Sequence, residues 1–263
     1  MGTQQLKRTV LLRKHIALPQ QHGSWALWLG PFAVGTVVGG WLTWGWLWLS
    51  LAMLGMFLAL QPLTILVKAL GGRRPAEERA PALAWLGLYG GLALAGGLGL
   101  VWSGHVWVLG LGLLMAPVLA WQMWLVARRE ERGQILVESL GAAALALSAP
   151  AAQALGAGAF SRDSLVLWAL CALQAVGAIL YVYTCLDYRR LKTAPAWAAA
   201  IGLALAGWAP PWAPAGFGLM MAEAVYGSLL RPPIGAKPVV IGVRQTVVTG
   251  LFSLALIAAY LWN

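Results

Sequence analysis

The sequence predicts an all-α polytopic membrane protein: a bundle of nine transmembrane helices, with the amino terminus cytoplasmic and the carboxyl terminus outside. Three observations predict it. First, 60% of the 263 residues are apolar and only 10% are charged, against about 25% charged in a soluble domain. So few charges cannot cover a water-soluble globule of this size, which excludes cytosolic, secreted and disordered classes. Second, the apolar residues fall into nine runs, most of them near the ~20 residues that a bilayer core requires. Third, of 18 Lys and Arg residues, all but Arg162 fall on one face when the nine runs alternate direction. Cytoplasmic loops are enriched in Lys and Arg, so that face is the inside.

The spans run roughly 24–40, 46–67, 82–103, 106–126, 134–156, 164–186, 194–209, 213–230 and 239–261. Residues 1–18 form a basic cytoplasmic segment with Lys7, Arg8, Arg13 and Lys14. Its apolar run Val10-Leu11-Leu12 is too short for a cleavable signal. Residues 5–18 suit a short interfacial helix. The first span opens on Leu18-Pro19-Gln20-Gln21-His22-Gly23-Ser24-Trp25, an unusually polar start, and His22 titrates near neutral pH in water. On the second span Gln61 and Lys68 are seven apart and share a helix face. The third carries Gly87, Gly90, Gly91, Gly96, Gly97 and Gly99; small residues permit close helix approach, which places this helix at the bundle centre.

Arg128, Arg129 and Arg132 follow the fourth span, and Glu138 enters the fifth. Tyr183, Asp187 and Arg190 stand at i, i+4 and i+7, a polar stripe at the cytoplasmic end of the sixth. The seventh and eighth spans are short and joined by Ala209-Pro210-Pro211-Trp212-Ala213-Pro214, which also suits a re-entrant hairpin. Glu223 is the acid near the middle of the eighth span, and Arg244 lies seven residues past Lys237 in the ninth. Trp41, Trp44, Trp46, Trp48, Trp102, Trp107, Trp208, Trp212 and Trp262 fall at outer helix ends, where an apolar ring with a wet N–H anchors the interface. There is no extramembrane domain and no internal repeat, so the chain reads as one transmembrane domain.

Ionisable groups inside hydrocarbon are costly and usually have a use. The candidate ligand-binding residues are His22, Gln61, Lys68, Arg128, Arg132, Glu138, Tyr183, Asp187, Arg190, Glu223 and Arg244. Buried Glu223–Arg244 or Glu138–Arg ion pairs are the purely structural alternative. The expected site is a cytoplasm-facing cavity lined by the second, fifth, sixth, eighth and ninth helices. Its lining is mainly cationic and suits a phosphate, a diphosphate or an anionic lipid headgroup. Cys171 and Cys185 form no CxxC or Cys/His cluster, so neither a disulfide framework nor a metal site is expected. No cofactor is expected, and no nucleic-acid partner: the net charge of +10 follows from the inside-positive rule.

The segment Leu18-Pro-Gln-Gln-His-Gly-Ser-Trp25, with Pro31, resembles the opening signature of the YwiC-like family of bacterial membrane proteins. Ala127-Arg128-Arg129-Glu130-Glu131-Arg132 running into Glu138-Ser-Leu-Gly141, and Ile241-Gly-Val-Arg244-Gln245, fit the same family. That likeness implies a bacterial cytoplasmic membrane location. An association of family members with nitrate-respiration genes implies a role near a respiratory complex. A second likeness is architectural: nine helices and polar second and sixth helix ends look like the UbiA-type prenyltransferases. Those enzymes hold a magnesium diphosphate between Asp-rich motifs at these two ends. Here the first end reads Val67-Lys68-Ala-Leu-Gly-Gly-Arg73-Arg74-Pro75, without Asp, and the second retains only Asp187.

Three functions follow as expectations. The first is binding or transport of an anionic or isoprenoid-like small molecule, with Glu138, Glu223 and Arg244 as polar core and Arg128 and Arg132 at the mouth. The second is a divergent isoprenoid-processing enzyme in which arginines replace magnesium and Asp187 or Glu138 does acid–base work. The third is an assembly protein of a respiratory complex.

Overall fold

The computed structural model describes residues 14–19, 22–40, 43–130, 134–186, 191–230 and 237–262. The described residues are helical, with no strand among them. After a single turn at Lys14–Ala17 come α1 (His22–Val38), α2 (Trp44–Leu70), α3 (Arg79–Trp102), α4 (Trp107–Arg128), α5 (Ile135–Leu145) and α6 (Ser148–Ala157). Then follow α7 (Arg162–Leu186), α8 (Ala194–Ala206), α9 (Ala213–Ala224), a π-helical turn (Val225–Leu230) and α10 (Pro238–Leu261).

Each of the nine apolar runs is helical. Six segments are long and apolar enough to cross a membrane: α2, α3 with its preceding 3-10 turn, α4, α5–α6 together, α7 and α10. The chain is therefore a multi-pass membrane protein. α1 and α8 are shorter apolar helices. At 13 residues α8 spans only about 20 Å, less than the ~30 Å hydrocarbon core.

The fifth run is not one helix. Pro150 has no amide hydrogen for the Ala146 carbonyl four residues back, and its ring crowds that carbonyl. The helix breaks at Ala146–Leu147 and restarts at Ser148.

Contacts divide the chain into two compact units. The first comprises the amino-terminal segment and α2–α4. Here α2 and α3 lie along each other with their backbones in contact. A Cβ on Gly55 would stand 2.5 Å from the Ala93 nitrogen, and one on Gly96 would stand 2.6 Å from the Trp48 carbonyl. Gly99 makes room for the Trp48 ring. Within the first unit the glycine-rich third span thus packs through one tight seam on α2. Gly87, Gly90 and Gly91 face open space, and only 22% of the span's apolar window is buried. Glycine spacing alone does not reveal how many neighbours a helix has.

The segment around residues 14–17 is fastened across this hairpin. Ile16 is fully buried against Ile65 and Ala82. Gln61 Nε2 donates to the His15 carbonyl at 2.9 Å, and the Tyr89 hydroxyl donates to the Ala17 carbonyl at 2.9 Å. Glu78, only 5% exposed, receives His15 Nε2 and Arg74 Nη1, each at 3.2 Å.

The loop arginines also close helix ends. Carbonyls in the last helical turn have no partner within the helix and carry partial negative charge. Arg79 Nη2 reaches the Ala69 carbonyl of α2 at 2.9 Å, and Arg73 Nη2 donates to the Val126 carbonyl of α4. α2 ends in a left-handed glycine, Gly72 at φ 72°, with the Arg73 amide bonded back to Lys68.

The second unit comprises α1 and α5–α10. Its axis is α7, half of whose apolar window is buried, against 11% for α4 in the first unit. Leu167, Leu170 and Ala175 of α7 are fully buried, and Phe217 of α9 meets Phe252 of α10 edge-on at 5.0 Å. α1 seats on α6 through Gly35 and Gly39, with a Cβ at Gly39 only 2.8 Å from the Gln153 carbonyl. Polar side chains are joined across helices: Ser164 to Gln153, Gln174 to Thr249, and the Trp168 indole N–H to the Ala143 carbonyl at 3.0 Å. Both cysteines are free and buried. Trp44, Trp102, Trp208, Trp212 and Trp262 are exposed as interface anchors should be, whereas Trp46 is a core residue.

Gly96→Val should unfold the α2–α3 seam, because backbone cannot retreat as a side chain would. We expect a cost at the upper end of about 1–3 kcal/mol, read as a lower Tm in detergent. Gly90→Ala, whose added methyl meets nothing within 4 Å, should leave Tm unchanged. Tyr89→Phe should cost about 1 kcal/mol and speed limited proteolysis near residues 13–19.

Candidate functional site

The densest polar cluster inside the apolar helices of the second unit is built by α7, α9, the π turn and α10. α9 ends two residues before Tyr226, and the chain continues as the π turn Val225–Leu230. Such turns tend to occur at functional sites, since the extra residue per turn re-aims side chains. Glu223 sits two residues before it. Arg244 reaches over from α10, with Nε 2.6 Å from Oε1 and Nη2 2.9 Å from Oε2 of Glu223. Nη2 donates a charge-assisted hydrogen bond to Oε2, while Nε meets Oε1 as an ion-pair contact that leaves Oε1 without a hydrogen-bond partner among the described residues.

Two rings flank the cation. The guanidinium carbon lies 5.4 Å from the Tyr181 ring centre and 5.9 Å from that of Tyr226, within cation–π range. Gly227 makes the space. A Cβ there would stand 2.5 Å from the Tyr181 hydroxyl and 2.7 Å from Arg244 Nη2. The Glu223 side chain is 15% exposed and that of Arg244 31%, so the acid is the inner partner and the cation the accessible one.

A small cavity of about 20 Å³ adjoins the pair, lined by Gln174, Tyr181, Met220, Glu223 and Gln245 among others. It has room for about one water molecule. Gln245 Nε2, buried here, has no hydrogen-bond partner among the described residues, and neither does Ser228 Oγ. A buried donor left unpaired costs about 1–3 kcal/mol, so a group lining a cavity in this state is suited to a ligand oxygen. Six of the ten lining residues are apolar; the polar ones are one acid, two amides and a phenol, with the Arg244 guanidinium beside the acid.

The sequence-selected residues divide as follows. Glu223 and Arg244 are brought together. Glu138 and Tyr183 form a second pair through a side-chain hydrogen bond between α5 and α7. Tyr181 and Tyr183 are two apart, about 200° round the helix, so they serve different neighbours. This separates Glu138 from the cavity lining. Gln61 and Lys68 lie on α2 in the first unit, with Gln61 holding the His15 carbonyl. Arg128, also in the first unit, stacks on Trp124 at 4.3 Å. Arg132, Asp187, Arg190 and the side chain of His22 lie outside the described residues.

Sequence reading missed Tyr181, Tyr226, Gly227, Gln174 and Gln245. Each looks ordinary alone. Tyr181 and Gln174 are seven apart on α7, the same spacing that singled out Gln61 and Lys68, and that signal was available. The Glu78 cluster was missed too, because Glu78 lies in a loop run where an acid reads as solvated.

The family model described as YwiC-like protein matches residues 18–153, which contain α1 to the middle of α6. A curated protein named "Uncharacterized protein YwiC", from Bacillus subtilis (strain 168), is 27% identical over 182 residues, covering 68% of this chain and 71% of that protein. No solved structure matches. The matched segment takes in the Leu18–Trp25 signature, α1 and all of α2–α4, more than half of the chain, and the chain belongs to the YwiC-like family.

Proposed function

We propose that this protein binds, and carries within the membrane, an anionic or amphipathic small molecule of lipid or isoprenoid type, whose charged head sits at Glu223 and Arg244. One observation carries the reading: a hydrogen-bonded ion pair inside apolar helices, beside a small cavity that holds an unpaired buried donor. An ion pair serving stability alone is poorly repaid, since desolvating two charges offsets much of their attraction. A pair that keeps its cation one-third exposed, between two aromatic rings, suits ligand exchange better than permanent closure.

In this reading the chain crosses the bacterial cytoplasmic membrane nine times, with the amino terminus inside. The one-sided Lys and Arg distribution supports that orientation; six helical segments are long and apolar enough to cross unaided, and α8 and α9 would need their flanking turns to do so. The loop arginines then face the cytoplasm. The site opens toward that side, and Glu138 with Tyr183 forms a second polar station on α7.

Mass spectrometry of protein purified in mild detergent tests the reading. A stoichiometric phosphorylated or isoprenoid amphiphile should accompany the wild type and be lost from Glu223→Gln and Arg244→Gln. An empty wild-type protein counts against a tight amphiphile site. Folding must be scored alongside. Removing one partner of a buried pair costs about 3–5 kcal/mol, whereas the neutral double variant Glu223→Gln/Arg244→Gln should be less destabilised than the sum of its parts. A cycle of the four proteins by chemical denaturation reads that coupling. Gly227→Val should mimic the loss of the amphiphile with both charges retained, because its side chain takes the space of Arg244 Nη2.

A further inference from the structure

Resting on that reading of the site, we infer that the protein takes up one proton with each anion it binds, Glu223 accepting the proton and Arg244 the anion.

The inference follows from charge and from the geometry of the fork. As found, the site is neutral: one carboxylate and one guanidinium, with Nη2 hydrogen-bonded to Oε2 and Nε in ion-pair contact with Oε1. Adding a monoanion without a counter-charge would leave a net negative charge among apolar helices, which is costly in low dielectric. The donors that best suit an anion are also the ones Glu223 already holds. A proton on Glu223 removes both obstacles. The neutral carboxyl no longer competes for the fork, and the site with anion bound is again neutral. No covalent bond changes. The reaction is anion plus proton plus paired site, giving a carboxylic acid beside a guanidinium–anion pair.

The surroundings suit such an exchange. Arg244 is the accessible member, so an anion can meet it while Glu223 remains inside. The vacated carboxylic acid faces Tyr181 and the cavity, where Gln245 Nε2 supplies a further donor for a ligand oxygen. The other ionisable groups facing the pair are Tyr181 and Cys185 from α7 and Tyr226 from the π turn. Phenols and thiols are neutral at and below pH 7. α9 carries no ionisable residue besides Glu223, α8 carries none, and α10 adds only Tyr260, near its far end. Among the described residues, Glu223 is therefore the one group of this cluster placed to take the proton.

The test is binding of decanesulfonate, a monoanion whose own charge does not change with pH, to the full chain in nanodiscs from pH 5 to 8, with empty nanodiscs subtracted. One proton per anion makes the affinity rise tenfold for each pH unit lowered, over the range where Glu223 is ionised in the free protein. Glu223→Gln has no carboxylate to neutralise and should bind at every pH with the affinity of the acid form. Should that variant fail to fold, infrared difference spectra of the wild type replace it: decanesulfonate should raise a carboxylic-acid C=O band at neutral pH. Binding that does not vary with pH, or that raises no such band, overturns the proton coupling and leaves the anion site standing. Absence of binding at every pH overturns the site itself.

Discussion

Lipid tails are as apolar as leucine, so burying apolar side chains does little to hold one membrane helix against another. What remains is close backbone approach and a small number of hydrogen bonds, and the structure depends on both. The α2–α3 seam closes where Gly55 and Gly96 let backbone meet backbone. α1 is drawn out of its sequence neighbourhood, past α2–α4, by the fit of Gly35 and Gly39 on α6. Gln153–Ser164 and Gln174–Thr249 then act as polar joints in the second unit.

The same constraint gives the Glu223–Arg244 pair its weight. In water an exposed ion pair is worth little. Among apolar helices neither charge tolerates isolation, so the two are bound to each other, and anything that changes one must be answered by the other. The π turn and Gly227 are the local devices that allow this meeting. An uninterrupted α-helix would aim Tyr226 elsewhere, and any side chain at residue 227 would occupy the place of the guanidinium. Basic residues outside the cluster have more ordinary work. Arg73 and Arg79 satisfy carbonyls at helix ends, which a rule based only on membrane side would count as topology signals.

Much of the architecture was legible along the chain. Helix formation is local, so the apolar runs read from the sequence coincide with helix among the described residues, and six segments are long and apolar enough to span. The break at Pro150 is also written locally, though a 23-residue apolar run conceals it. The site was legible in part. Glu223 and Arg244 stand out because ionisable residues are rare in apolar runs. Their partners Tyr181, Gln174 and Gln245 do not, because such residues are unremarkable until a neighbouring helix faces them.

The sequence by itself determined that this is a multi-pass helical membrane protein, which stretches are helical, and which acid and which arginine lie within them. Those properties depend on composition and on spacing along one helix. Only the tertiary structure decided that Glu223 meets Arg244, that Glu138 goes to Tyr183, that the glycine-rich helix meets α2 along one seam, and that α1 joins α6. These depend on which helices become neighbours. That is set by the fit of small residues and side-chain forks between distant segments, and periodicity within a single helix carries no record of it.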